Sequence, residues 1–538
     1  MRGAGVGPLQ GLSFAAKDNI DVKGVPTTAG CPSFAYVPAE HSTVVRKLLE
    51  AGASLIGKTN LDQFACGLNG TRSPYGAVPN AFDARYVSGG SSSGSAFAVA
   101  TGQVDFALGT DTAGSGRVPA GLNNIVGLKP SKGLMSAHGV VPAAQSVDCV
   151  SILTREVGLA LDVLKAAMGE DALDPFSRSL SLSEEPWPAQ FRFGVPDVLE
   201  FFGDVQAQAA FEQAVERMKT LGGMPVTVDF APFAQAASLL YESALVAERY
   251  EAIQHFYDAH PEDVVEPVRT IIGQGRQYSA VDLFRAQNEL KALDKQTQRA
   301  WQHMDVMLVP TAPTHYTIEA MRADPLALNR NLGIYTNFVN LLDYAALSVP
   351  SSLRADGLPF GVTLIGRCGS DLRLADLGQR YHLATGLLQG RTSMPLSPAK
   401  VILPGADKRY ARVAVVGAHL SGMPLNHQLT ERGGRLLEAT HTSADYRLFA
   451  LSDAVPPKPG LLRGAPNSGQ PIAIELWELP MEHYGSFVSL IPAPLGIGTL
   501  TLLDGRQVQG FVCEPLALQD ATDITQWGGW QAYLQSRS

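Results

Sequence analysis

Eight consecutive residues, Ser88-Gly-Gly-Ser91-Ser-Ser-Gly-Ser95, are serine or glycine only, and they run straight into Ala96-Phe-Ala-Val-Ala100. Ser/Gly runs usually serve as flexible linkers. This one is followed not by more low-complexity sequence but by an apolar stretch with the texture of a buried helix. Serine and glycine make good N-terminal caps for such a helix. The surroundings fit the same picture. Thr43 to Ala51 reads as an amphipathic helix through Val44, Val45, Leu48 and Leu49, and Ser54 to Gly57 as a buried strand. Val205 to Leu221, Ala236 to Tyr257 and Val281 to His303 carry helical periodicity, and Val306-Met-Leu-Val-Pro310 reads as a strand. Strands mixed with helices predict an α/β core.

A chain of 538 residues is long enough for one large core and a smaller domain. The texture changes at Arg391-Thr-Ser-Met-Pro-Leu-Ser-Pro398 and Pro404-Gly-Ala-Asp407, a Pro-rich stretch that reads as a linker. The predicted division is a first domain over 1–395, a linker over 396–407 and a second domain over 408–538. In the second, Arg412-Val-Ala-Val-Val-Gly417, Ile472-Ala-Ile-Glu-Leu-Trp477 and Gly498-Thr-Leu-Thr-Leu-Leu503 read as strands, and Asp504-Gly505 as a hairpin turn.

The net charge of −9 argues against a nucleic-acid footprint, which needs a basic face, yet leaves room for a small anion held by a local arginine. The five cysteines are scattered and form no CxxC, which disfavours a disulfide scaffold or zinc site and fits a reducing, cytoplasmic setting. The N-terminus has no apolar signal-peptide region. The longest apolar stretch, Ser95 to Gly109, is broken by Gln103 and Asp105, so no membrane span is expected. Asn69-Gly-Thr71 matches a glycosylation sequon and reads as chance.

Three pieces carry chemistry. They are Phe14-Ala-Ala-Lys17-Asp-Asn-Ile20, the Ser/Gly run with Ser91, and Gly109-Thr-Asp111-Thr-Ala-Gly-Ser115-Gly-Arg117. A serine hydroxyl needs a base before it can attack a carbonyl. A lysine serves when burial or a nearby cation lowers its pKa. The three pieces in order, with 115 − 91 = 24 residues between the serines, resemble the amidase signature family.

That resemblance implies an α/β/α sandwich with a central mixed sheet, and a smaller α+β C-terminal domain. It makes Ser115 the nucleophile, Ser91 the bridging hydroxyl after a cis peptide, and Lys17 the base. Thr112-Ala113-Gly114-Ser115 would offer backbone N–H groups to the oxyanion. Asp111 is expected to order this loop, and Arg117 to brace it in preference to holding substrate. No metal and no cofactor is implied. Two rival motifs are set aside. Gly52-Ala-Ser-Leu-Ile-Gly57-Lys58-Thr59 fits a phosphate-binding loop, but its Ser-Leu-Ile looks like the strand itself. Gly90-Ser-Ser92-Ser-Gly94 fits a nucleophile elbow, but nothing marks its acid and histidine partners, for which Asp148 and His138 are the candidates.

Leu240-Tyr241-Glu-Ser-Ala-Leu-Val-Ala-Glu-Arg249-Tyr250 resembles a segment of allophanate hydrolases in which the tyrosine and arginine hold the substrate carboxylate. Those roles fall on Tyr241 and Arg249, two helical turns apart. The bland alternative is a surface arginine paired with Glu242 or Glu248. The segment from Val413 through His419 to His427 and Leu429 also resembles the C-terminal domain of that family, which is similar to the γ-glutamylcyclotransferase fold. His419, His427 and Glu475 are its candidate site, for decarboxylation of the product left after ammonia loss. A purely structural tail is the alternative. The resemblance further implies a small anionic substrate (allophanate), a homodimer, and a separate biotin-dependent urea carboxylase, since no Ala-Met-Lys-Met is present. Only 16 residues precede Lys17, where the family carries a helical segment, so the chain reads as truncated or late-starting. Two other readings are carried forward. One is a different amidase, such as the glutaminase subunit of a tRNA amidotransferase. The other is a non-catalytic binding protein on the same scaffold.

Overall fold

The structure is a computed structural model that describes residues 7–403, 410–452 and 456–537. The chain divides into two compact units, Met1–Leu403 and Pro404–Ser538.

The first unit is built on ten strands. In chain order they are β1 (Ser13–Lys17), β2 (Ser54–Thr59), β3 (Phe106–Asp111), β4 (Val126–Lys129), β5 (Cys149–Thr154), β6 (Phe191–Pro196), β7 (Gly223–Val228), β8 (Val306–Pro310), β9 (Tyr344–Leu353) and β10 (Pro359–Arg367). They form one sheet in the order β2-β1-β3-β5-β4-β9-β10-β8-β6-β7. The sheet is mixed. β1 runs parallel to β2 and β3, and β6 parallel to β7 and β8, while the centre from β3 through β5, β4, β9 and β10 to β8 is antiparallel. The central strands are buried on both faces, which is why β8, Val306-Met-Leu-Val-Pro310, reads as a continuous apolar run rather than an alternating one. Phe14 stacks on Phe106 at 5.1 Å, fixing β1 against β3 near the start of both strands.

The helix Thr43–Glu50 forms as its periodicity predicts, with the Ser42 hydroxyl accepting from Val45 N. The helix after the Ser/Gly run spans Ser93–Ala100 and is almost wholly buried. Ala280–Ala300 is opened by a capping box between Ser279 and Asp282. One expected helix is not continuous. The stretch Ala236 to Tyr257 breaks at Ser243, whose extended backbone ends the helix Ala231–Glu242. A 3₁₀ turn, Ala244–Val246, then leads to a short helix, Ala247–Glu251, and another at Gln254–Ala259. The Ser243 hydroxyl accepts from Leu245 N, offering the backbone an alternative to the helical bond.

The second unit holds β11 (Tyr410–Val415), β12 (Arg435–His441), β13 (Tyr446–Ala450), β14 (Pro459–Arg463), β15 (Ala473–Pro480), β16 (Leu495–Thr501), β17 (Gln507–Cys513) and β18 (Thr522–Asp523). Five of these form the sheet β12-β15-β11-β17-β16, and three form β14-β13-β18. β16 and β17 make the hairpin expected at Asp504-Gly505, with Gly505 at φ +85°, a left-handed conformation that glycine adopts without steric cost. This unit has its own core, including Tyr446, Leu448, Leu476, Phe487 and Trp530. Among the described residues no helix is long and apolar enough to cross a membrane.

Candidate active site

Parallel neighbours end at the same edge of a sheet. β1 and β3 therefore deliver Lys17 and Asp111, their last residues, to one place. The loop 112–115 continues from β3, and Ser91 lies two residues before the buried helix Ser93–Ala100. The two serine segments are tied together. Ser92 N donates to Ser115 O at 3.3 Å, and the Ser92 hydroxyl bonds both the carbonyl and the amide of Thr110 at 3.2 and 3.3 Å. The Gly90–Ser91 peptide is cis.

Lys17 is fully buried, and its Nζ lies 2.7 Å from Ser91 Oγ and 2.7 Å from Thr110 Oγ1. Burial pulls its pKa from 10.5 down to about 7, against the upward pull of the Asp62, Asp148 and Asp111 carboxylates. A lysine so placed is neutral about half the time at neutral pH, and so can accept a proton. Ser115 Oγ donates to Gly67 O at 3.3 Å.

The loop carrying Ser115 is held from below. Asp111 accepts Arg117 Nε and Nη2, both at 2.9 Å, with both side chains fully buried. Arg117 also donates to Thr336 O and Asn340 Oδ1, which makes it a brace for the loop. Asp111 further accepts the amides of Gly114 and Gly116 at 3.0 Å each. This corrects one expectation. The Gly114 N–H is committed to Asp111, so it is not free for an oxyanion, whereas the Thr112, Ala113 and Ser115 amides make no hydrogen bond within the described residues. Gly114 has a different role in the loop. Its φ is +135°, and a Cβ there would collide with Thr336.

Tyr241 and Arg249 come together across the break at Ser243 rather than along one helix face. Arg249 Nη2 donates to Tyr241 OH at 3.1 Å, and the guanidinium carbon lies 4.8 Å from the tyrosine ring centroid. Arg249 is 2% exposed. Its Nε and Nη1 are buried and have no hydrogen-bond partner. The bland pairings are not formed, because Glu248 accepts from Ser146 N and Oγ, and Glu242 faces Arg330. Asp148 lies within electrostatic reach of both Lys17 and Arg249. Burial raises its carboxyl to about 6, opposed by the Thr112 hydroxyl at 2.5 Å and the amides of Ala143 and Ala144.

A cavity of about 350 Å³ adjoins this cluster, with Leu68, Tyr241 and Asn337 in its wall. Asp62 shapes the near side by accepting the amides of Asn69, Gly70 and Arg72 at 2.9–3.2 Å. Nothing in the sequence marks Asp62 or Asn340, and Asp148 stands out there only as the acid of a nucleophile elbow that lacks the rest of its motif. Asp62 closes Gly57-Lys-Thr-Asn-Leu-Asp62, the continuation of the stretch that resembles a phosphate loop. Lys58 lies in strand β2 and pairs with Asp18 at 2.9 Å, which leaves no such loop.

In the second unit, His419 is buried, stacks on Phe511 at 5.0 Å and bonds Gln428 Oε1 at 2.9 Å, with burial lowering its pKa. It lines a small cavity that also includes Lys458. Glu475 Oε2 accepts Ser421 N, Ser421 Oγ and Trp477 Nε1 at 2.8–3.0 Å. His427 is exposed, with Nδ1 on Pro424 O at 2.9 Å. Among the described residues these three share no hydrogen bond; His419 lines the cavity, and His427 lies within electrostatic reach of it.

The Amidase family model matches residues 2–375, which hold the ten-stranded mixed sheet and the buried Lys17–Ser91 pair at its strand ends; the chain belongs to that family. Residues 411–535 match the family model for the allophanate hydrolase C-terminal domain. The chain is 44% identical to a urea amidolyase of Saccharomyces cerevisiae over 98% of its own length, and it spans 30% of that relative. The solved structure of a Kluyveromyces lactis allophanate hydrolase superposes with a TM-score of 0.73 at 41% identity, covering 99% of this chain and 89% of the other. A glutamyl-tRNA(Gln) amidotransferase component of Heliobacterium modesticaldum is 36% identical over 71% of this chain and 85% of its own.

Proposed function

We propose that this chain hydrolyses allophanate through an acyl-enzyme on Ser115. The observation that carries the substrate is Arg249, a buried guanidinium with Nε and Nη1 unpartnered in the unit that holds the reactive serines. A buried cation with open donors is costly unless an anion completes it, and a carboxylate matches the guanidinium fork. Tyr241 supplies the adjacent hydroxyl. A relative named allophanate hydrolase at 41% identity over 99% of the chain supports the same substrate.

In this reading Ser115 turns from the Gly67 carbonyl toward Ser91. Its proton passes through Ser91 to neutral Lys17 while Oγ attacks the amide carbon. The Ala113 and Ser115 amides, with Thr112 beside them, meet the oxyanion. Lys17 then returns the proton through Ser91 to the leaving nitrogen, and ammonia departs. Water cleaves the acyl-enzyme by the same path. The N-carboxycarbamate that remains loses carbon dioxide, a step we assign to the second unit, with His419 and its cavity as the candidate. A biotin-dependent urea carboxylase would supply the allophanate, and a homodimer in the cytoplasm completes the reading.

The test is ammonia release from fresh allophanate beside malonamate, glutamine and simple amides. Release from allophanate that is lost in Ser115→Ala is the expected result. Release from glutamine alone would replace the substrate assignment. Arg249→Ala is expected to cost about 2–5 kcal/mol of transition-state binding on carboxylated amides and little on a neutral amide. Equal losses on both would reduce Arg249 to a structural residue.

A further inference from the structure

The cavity walled by Leu68, Tyr241 and Asn337 is larger than the anion proposed above. Its volume is about 350 Å³, room for more than one small anion. Its walls are mostly apolar, with Leu68, Ala234, Ala237, Ile271, Leu326 and Ile334 among them. Three of its lining residues neighbour groups of the candidate site. Leu68 follows Gly67, whose carbonyl accepts from Ser115. Tyr241 bonds Arg249. Asn337, with its amide oriented to satisfy its neighbours, donates to Ala113 O at 2.8 Å.

On the reading of the previous subsection, the acyl fragment is pinned at both ends, its carboxylate at Arg249 and its carbonyl carbon at Ser115. Its length is then fixed, and a substituent can sit only on the atom between those two ends or on the leaving nitrogen. Leu68, next to Gly67, and Asn337, bonded to Ala113 O, put the cavity at the Ser115 end, where the nitrogen departs. We infer that this cavity receives the leaving group, and that the chain cleaves N-alkyl amides of small carboxylates as well as primary amides. Ser115 Oγ bonds to the carbonyl carbon, the C–N bond breaks, and the proton taken from Ser115 goes to the nitrogen. An alkylamine departs in place of ammonia, and water hydrolyses the acyl-enzyme as before. Apolar walls suit an alkyl chain, whose burial contributes about 0.8 kcal/mol per CH₂.

The inference rests on the proposed carboxylate site, and the experiment separates the two. The intact chain is given malonamate, N-butylmalonamate, N-butylacetamide and allophanate, with ammonia and butylamine measured. The expected kcat/KM for N-butylmalonamate is within tenfold of that for malonamate, with both lost in Ser115→Ala. Ala234 and Ser238 are exposed residues one turn apart on the helix Ala231–Glu242, and both line the cavity. Ala234→Trp and Ser238→Trp should each lower the butyl-to-primary ratio at least tenfold while malonamate turnover holds, which also reports that the variant is folded. Cleavage of malonamate without N-butylmalonamate overturns the inference and leaves the carboxylate site standing. An unchanged ratio in both folded variants also overturns it. Cleavage of N-butylacetamide with neither carboxylated primary amide cleaved keeps the leaving-group cavity and removes the allophanate reading.

Discussion

Lys17 carries opposite demands on stability and chemistry. Its amine is fully buried and titrates near 7, where an exposed lysine titrates near 10.5. Between those values the unfolded chain binds a proton that the folded chain has released, so this group's contribution makes stability rise as pH rises from about 7 toward 10. At pH 7 the gap corresponds to roughly 4 kcal/mol working against folding. Lys17→Met should therefore slow acylation by about 10³-fold, within the range of general-base effects. It should nevertheless melt at pH 7 no lower than the parent, as scanning calorimetry would record. A lower melting temperature would mean that the bonds to Ser91 and Thr110 outweigh the desolvation. The rate prediction has its own sign. The base must be neutral, so kcat/KM should climb through pH 7 and level off above it, with no such limb in the Lys17 variant. Asp148 runs the other way. Its carboxyl sits near 6 when folded, so the folded chain holds the extra proton between about 4 and 6, and stability from this group falls as pH rises through that window.

At the scale of the element, the loop 111–117 is held by one buried ion pair and two amide bonds to the same carboxylate. Removing one partner of a buried pair leaves the other charge uncompensated, at a typical cost of about 3–5 kcal/mol. Arg117→Ala should show that loss in a denaturant titration and lose Ser115 labelling by a serine-directed probe. Retained labelling at full stability would make the pair dispensable. Much of this element was legible in sequence, because the Ser/Gly run, the lysine and the loop lie in short contiguous motifs whose backbone geometry depends on local residues. Other parts were not. Asn340 reaches the loop from 223 residues away from Arg117, and nothing in its neighbourhood marks it. The break at Ser243 was hidden because Ala236 to Tyr257 keeps apolar spacing, which reports burial and not hydrogen-bond continuity. The Gly114 amide could not be assigned without knowing that Asp111 takes it.

Across the molecule, Lys17, Ser91 and Ser115, like the Tyr241–Arg249 pair, all lie in the first unit, and the second has a separate apolar core. A core defect in the second unit should leave acylation chemistry intact. Leu448 is fully buried there, and Leu448→Ala is expected to destabilise that unit by about 2–5 kcal/mol. Probe labelling of Ser115 should continue at the parent rate. If labelling fell with it, the site would depend on the tail for more than downstream chemistry. The two units also differed in how far sequence carried. Strands and the hairpin of the second unit were visible from alternation and Asp504-Gly505. The placement of His427 on the surface depends on how the turn before His427 closes onto Pro424, and residue type does not report that.

The burial of Lys17 also bears on reagents. An amine that titrates near 7 is the one an acylating ester would modify first if all amines were equally accessible. Here the most nucleophilic amine is enclosed, with no surface in contact with solvent. Amine-directed labelling at neutral pH should therefore exhaust the surface lysines while leaving Lys17 unmodified and the enzyme active. Appearance of label on Lys17 would then serve as a reporter of the opened chain, a chemical clock for local unfolding at the edge of the sheet.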